Sequence, residues 1–214
     1  MRIGLERRRN RRWLTETLPA ENREEPVVGE VLRLLGSLGI RDVRSRYQLD
    51  ASRLTNELAT VTNSIGGHDY VVLHPFAGSE DRCVPLDEWV SVADELSSTG
   101  MSILWVGDSR ELERLRQRRN ARQEWRYSDT LFNGDLTLTS VAISKAKLFI
   151  GHDSGPMHIS AALGVPTLGV FAPGEPKRTF PQGVGRWRII SREAPTAVRG
   201  RDIVNEARVL LLSA

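Results

Sequence analysis

The residues with the clearest chemical promise lie in the stretch LFIGHDSGPMHISAALGVPTLGVFAP, from Leu148 to Pro173. Asp153, Ser154 and Gly155 precede Pro156, and His158 follows two residues later. A helix opening here turns its unsatisfied backbone N–H groups outward. That end carries about half a positive charge and is a natural seat for phosphate. Ser154 and Gly155 then offer backbone donors, and His158 stands in the first helical turn. A plain βαβ turn with a capped helix has the same spacing, since short glycine-rich turns are common. Asp153 likewise has a bland alternative, hydrogen bonding to the loop backbone to hold its shape. Two other chemistries fit poorly. Ser154 falls one position too late for the Gly-x-Ser-x-Gly nucleophile elbow. His152, Asp153 and His158 have no further His, Cys or Glu cluster to complete a metal shell, so no metal is assigned.

The elements that must position these residues are readable around them. Leu148, Phe149 and Ile150 form an apolar run, as a strand buried on both faces requires. Gly151 and Gly155 bracket a tight loop in which missing Cβ atoms let the backbone approach a ligand. Pro156 suits a first helical turn, Met157 to Leu163 continue the helix, and Gly164 with Pro166 end it. Thr167 to Phe171 form the next strand, and the roughly dozen residues between suffice for a parallel crossover. Two more loops follow strands of the same kind, His74 to Val84 and Gly107 to Glu111. With His152 to Pro156 they should frame one crevice at the carboxyl edge of a parallel sheet. Gly78 and Ser79 are small enough to line it.

Outside this stretch the chain alternates in the same way. Strands are expected at Tyr70–His74, Met101–Val106 and Trp187–Ile190. Helices are expected over Leu86–Leu96, closed by Gly100; from a Ser109 cap to about Asn120; around Leu138–Ala146; and from an Asp202 cap to Leu211. Residues 121–135 read as irregular. This rhythm indicates a parallel sheet covered on both faces. Upstream the pattern is different. Residues 1–25 are polar, arginine-rich and aperiodic, and are expected to be poorly ordered. Pro26 opens an amphipathic helix carrying Val27, Val31, Leu34, Leu35 and Leu38, ended by Gly39, and a second is expected from Leu54 to Ile65.

With 214 residues, 40% of them hydrophobic and 27% charged, the chain is an ordinary globular protein with room for one domain and a fraction. No apolar run approaches a membrane span of roughly 20 residues, and the basic start lacks the apolar core of a secretory signal. Cys83 is the single cysteine, which fits a reducing cytoplasm. The net charge of +3 conceals a strong arginine bias, with lysine only at Lys145, Lys147 and Lys177. Arg2, Arg7, Arg8, Arg9, Arg11 and Arg12 crowd the start and suit either a solvated terminus or an anionic surface.

The run Asp153-Ser154-Gly155-Pro156-Met157-His158, followed by Ala161-Ala162-Leu163-Gly164-Val165-Pro166 and preceded by His74-Pro75 and Leu136, resembles glycosyltransferase family 9. These are the ADP-heptose:lipopolysaccharide heptosyltransferases and their relatives, and the similarity runs from Tyr70 to Pro181. The resemblance implies an α/β fold with a Rossmann-like parallel sheet, the C-terminal half of a GT-B glycosyltransferase. Residues 70–214 would form the nucleotide-sugar-binding domain, and 26–69 a helical linker or remnant of the acceptor domain. It implies inverting transfer of a heptose-like sugar from an ADP-activated donor, with no separate cofactor, to a lipopolysaccharide-core-type acceptor. Gly78, Ser79, Arg82, Asp153, Ser154, Gly155 and His158 would hold the donor phosphates, and Glu111 the nucleoside through a ribose hydroxyl. Arg82 stands where the family usually has lysine before an aromatic residue and proline; here Cys83 and Val84 intervene before Pro85. The family's general base belongs to the acceptor domain, so no catalytic base is assigned, and the chain by itself is expected to be inactive. Its expected partners are the nucleotide-sugar, the acceptor, and a separate N-terminal acceptor domain or a second copy of itself. The expected setting is the cytoplasm, with peripheral contact at the inner face of the inner membrane as an extension and no specific nucleic acid. Two other readings stay open, a nucleotide-sugar-binding module without catalysis and an arginine-rich nucleic-acid binder.

Overall fold

The structure is a computed structural model, and it describes residues 2–6, 11–19, 25–43, 46–52, 59, 61, 68–120 and 129–212. The chain divides into two compact units. One comprises Met1–Arg46 with Glu175–Phe180, the other Tyr47–Gly174 with Pro181–Ala214. This division groups 47–69 with the sheet, whereas the sequence reading opens the sheet domain at residue 70.

The larger unit is built on six parallel strands: β3 (Tyr70–His74), β4 (Ser102–Val106), β5 (Asp129–Phe132), β6 (Leu148–His152), β7 (Thr167–Phe171) and β8 (Trp187–Ser191). Their spatial order is β5-β4-β3-β6-β7-β8. The chain therefore winds outward one way from β3 and the other way from β6, and these two strands lie side by side, Val71 opposite Leu148 and His74 opposite Gly151. This is the switch point at which doubly wound sheets open a crevice.

The apolar runs in β3, β6 and β7 arise because both faces of the sheet are covered. On one face Val71, Leu73, Ile103, Trp105, Leu148 and Ile150 pack against α2 (Leu86–Ser97), α3 (Ser109–Asn120) and α7 (Gly200–Leu212). On the other, Tyr70, Val72, Leu104, Phe149 and Phe171 meet α4 (Leu136–Ser144) and α5 (Gly155–Ala162). The alternation of neighbours such as Val71 and Val72 between the two clusters is the period-two pleat of a strand.

Three local expectations are corrected. Residues 129–132 form the edge strand β5 rather than irregular chain. Helix α3 is capped by Asp108, not Ser109: Asp108 Oδ1 accepts from the N–H groups of Arg110 and Glu111, and Glu111 Oε2 accepts from Asp108 N at 2.8 Å. That is a reciprocal capping box. Helix α7 starts at Gly200, and the carboxylate accepting from its Gly200 N–H, at 2.6 Å, is Glu88 of α2 rather than Asp202.

The smaller unit holds β1 (Ile3–Glu6) and β2 (Glu16–Pro19), paired in parallel, α1 (Val27–Ser37) and the short α6 (Pro176–Thr179). Two strands thus stand in the segment expected to be poorly ordered. Pairing registers Ile3 with Glu16 and Leu5 with Leu18, a pattern too short for periodicity to reveal. Helix α1 ends before Gly39, whose φ of 81° needs glycine. Buried Glu30 of α1 pairs with Arg178 of α6 at 3.1 Å. The second helix expected over Leu54–Ile65 lies outside the described residues apart from Ala59 and Val61.

Candidate functional site

The three loops expected to frame a crevice leave neighbouring strands at one edge of the sheet. The chain after β3 runs through Pro75 to Pro85, that after β4 through Gly107 and Asp108, and that after β6 through Asp153 and Ser154. Arg82 and Asp153 meet across the β3/β6 switch point, Arg82 Nη2 donating to Asp153 Oδ2 at 2.9 Å. The other carboxylate oxygen lies 3.7 Å from His158 Nε2, in the first turn of α5. Asp153 thus links Arg82 and His158, and with its side chain only 15% exposed, water competes weakly for it. An aspartate cannot itself ligate phosphate, so its contribution here is to aim Arg82 and His158. His158 Nδ1 is buried and has no hydrogen-bond partner among the described residues. The ring of Tyr47 stands edge-on to His158, with centroids 6.4 Å apart.

Ser154 precedes α5 in extended conformation, but its hydroxyl donates to the His152 carbonyl instead of capping the helix. The first N–H groups of α5 are thus not capped by Ser154, and Gly155 faces open space, with nothing within 4 Å of where a Cβ would stand. Gly78 is equally open, and the Ser79 carbonyl accepts from Arg82 N at 3.2 Å, closing the short turn Glu80–Arg82 that holds Arg82. Glu111 bends back over Gly107: a Cβ there would lie 3.0 Å from both Glu111 Oε2 and the Phe76 ring. Its carboxylate lies within electrostatic range of Cys83, whose thiol pKa is raised mainly by burial. Glu111, Arg82, Asp153 and His158 therefore follow one another along the edge from β4 through β3 to β6.

Two expectations fail here. His152 belongs to β6 and is buried, not part of the loop. Its Nδ1–H donates to the Val170 carbonyl at 3.1 Å, and its Nε2 accepts from Val84 N at 3.1 Å. Burial, with the nearby His74 and Arg82, lowers its pKa to about 4. Gly151 also lies within β6; a Cβ there would meet the Phe149 ring at 2.9 Å and the His74 carbonyl at 3.0 Å. That glycine serves the close approach of β3 to β6, not of a ligand. His74, the other buried histidine, donates its Nδ1–H to the Val106 carbonyl at 2.9 Å, and burial lowers its pKa. Sequence reasoning missed the Asp108 cap, although Asp-x-x-Glu over 108–111 was a legible signal. It also missed the His152 bonds and Tyr47, which no local pattern announces. No cluster of metal-ligating side chains occurs among the described residues, and no described helix is long and apolar enough to cross a membrane.

A doubly wound parallel sheet with an arginine and a helix N-terminus at its switch point defines an α/β protein of the kind that can seat an anionic group there. The chain belongs to glycosyltransferase family 9 (heptosyltransferase), whose family model it matches over residues 1–203. The match extends well upstream of Tyr70, where the recognisable motif begins. Among solved structures it resembles a family 9 glycosyltransferase from Veillonella parvula, with 18% identity and a TM-score of 0.78, covering 99% of this chain and 67% of that one. It also resembles E. coli ADP-heptose lipopolysaccharide heptosyltransferase II, with 18% identity, a TM-score of 0.76 and coverage of 94% and 66%. A third is E. coli heptosyltransferase WaaC with ADP, at 17%, 0.69, and 92% and 60%. These likenesses establish the GT-B type of fold. The chain spans about two thirds or less of the length of these relatives. No curated protein matches its sequence.

Proposed function

We propose that this chain carries the donor-binding part of an inverting glycosyltransferase that moves a heptose-like sugar from ADP-heptose to a lipopolysaccharide-core-type acceptor. The observation that carries the reading is the meeting of Arg82, Asp153 and His158 beside the α5 N-terminus, at the β3/β6 switch point. Two strand spacings, about 10 Å, separate β4 from β6, a span suited to a nucleoside diphosphate with its ribose at Glu111 and its phosphates at Arg82 and α5. Gly78, Ser79, Ser154 and Gly155 leave the room that phosphate oxygens need. The acceptor hydroxyl attacks the anomeric carbon, the bond to the diphosphate breaks, and the nucleoside diphosphate leaves with the electron pair. The hydroxyl proton passes to a base of the acceptor part, which a separate N-terminal domain or a second copy would contribute. The residues of this chain bind the donor and stabilise the charge that grows on the leaving diphosphate.

A second reading is a nucleotide-sugar-binding module without transfer, favoured by the cluster itself: Arg82, Asp153 and His158 are groups suited to holding a diphosphate. Calorimetric titration with ADP, UDP and GDP tests the shared core of both. Binding of ADP in preference to the others supports it, and no heat with any of them on folded protein would sink it.

A further inference from the structure

We propose that His152 is a positioning residue of the anion site, holding Arg82 in place through the backbone of Val84; this rests on the donor-site reading above. The imidazole is buried in β6 and touches three separate elements. Its Nδ1 donates to the Val170 carbonyl of β7, its Nε2 accepts from the Val84 N–H of the loop after β3, and its ring meets Trp89 of α2 edge-on at 5.3 Å. Donation from Nδ1 leaves the Nε2 lone pair as the acceptor, so one neutral tautomer satisfies both bonds. Val84 is itself buried and stands two residues after Arg82, in a loop also held by its own short turn, the Arg82–Asp153 pair and the exposed Glu80–Arg114 ion pair. Asp153 follows His152 directly. The histidine thus fixes both ends of that ion pair: one through the chain of β6, the other through the Val84 N–H.

The two bonds can be separated. His152→Gln keeps an acceptor that reaches Val84, while His152→Asn keeps a donor near Val170 but falls short of Val84. A role confined to packing would treat the two alike. In wild type, the Val84 amide should exchange slowly with solvent and long-range nitrogen–proton spectra should show His152 protonated at Nδ1. In His152→Asn the Val84 amide should exchange faster and the Arg82 guanidinium signals, separated by the Asp153 pair, should collapse; in His152→Gln both should stay close to wild type. For ADP, His152→Asn should weaken binding by about five- to tenfold, and a cycle with Arg82→Ala should be non-additive. A rapidly exchanging Val84 amide in wild type, an unmoved Arg82 signal in folded His152→Asn, or additive effects on ADP binding would each overturn the proposal. If wild type binds no nucleoside diphosphate, the donor-site reading fails, while the exchange and guanidinium signals still decide whether His152 holds Arg82.

Discussion

At the scale of single residues, the proposed chemistry rests on one carboxylate shared by an arginine and a histidine. The planar fork of Arg82 can hold Asp153 and phosphate oxygens at once. Arg82→Ala should weaken ADP binding by about ten- to a hundredfold, the value of charge-assisted hydrogen bonds, with Arg82→Lys intermediate. Titration calorimetry reads both, and an unchanged affinity in Arg82→Ala would remove this residue from the site. His152 supplies a second expectation. Burial lowers its folded pKa to about 4 from an ordinary 6.5. Folding therefore favours the neutral form: the stability is present above pH 6.5 and is lost as the pH falls toward 4. By linkage the loss approaches ~3 kcal/mol. Urea unfolding at pH 7, 5.5 and 4.5 should show that slope, and His152→Gln should flatten it. An equal slope in the variant would assign the acid sensitivity to other groups, His74 first among them.

At the scale of elements, two contacts between neighbours carry more than their sequence suggests. Glu88 of α2 accepts from the first N–H of α7, and α7 covers one face of the sheet. Glu88→Ala should cost about 0.5–2 kcal/mol, as losing a helix cap does, seen as a lower urea midpoint with an unchanged slope. The second contact is β3 against β6. Gly151→Ala would drive a methyl group into the His74 carbonyl and the Phe149 ring. Overpacking of this kind costs about 1–3 kcal/mol, and it should also weaken ADP binding because Asp153 lies just beyond. A Gly151→Ala protein as stable as wild type would show that the strands part at little cost. The capping box of α3 holds the Glu111 carboxylate back against the Asp108 N–H, so its own helix fixes its place at the sheet edge.

At the scale of the whole molecule, two compact units share one chain, and the larger holds every candidate donor residue. We expect ADP binding to be measurable on the chain alone, whereas heptose transfer to a lipopolysaccharide-core acceptor should need an added acceptor part. General-base catalysis is typically worth about 10²–10⁴-fold and orientation about 7–11 kcal/mol, so a donor-binding part acting without an acceptor part would transfer below detection. A labelled-donor assay with and without a matching N-terminal domain tests this. Robust turnover by the chain alone, abolished by His158→Ala, would show that the acceptor side is already present.

The sequence by itself determined the central strands β3, β4, β6 and β7 and the helices that cover them, and it singled out the loops of the proposed donor site. Continuous apolar runs such as Tyr70–Leu73 and Leu148–Ile150 are buried between two helical layers, and Gly39, Gly100 and Gly164 stop helices locally, each at positive φ. Tertiary structure alone decided what depends on distant partners. Strand β5 carries only four residues and becomes a strand because β4 offers it hydrogen bonds, Ile103 opposite Asp129. The α7 N-terminus lies 112 residues from the Glu88 carboxylate that serves it. Asp153 and Arg82, 71 residues apart, become one site only because β6 is placed beside β3. His152 reads locally as a loop residue between glycines, yet its partners lie 68 residues upstream and 18 downstream. Periodicity and capping act over a few residues, and these contacts exist only once the sheet has ordered its strands.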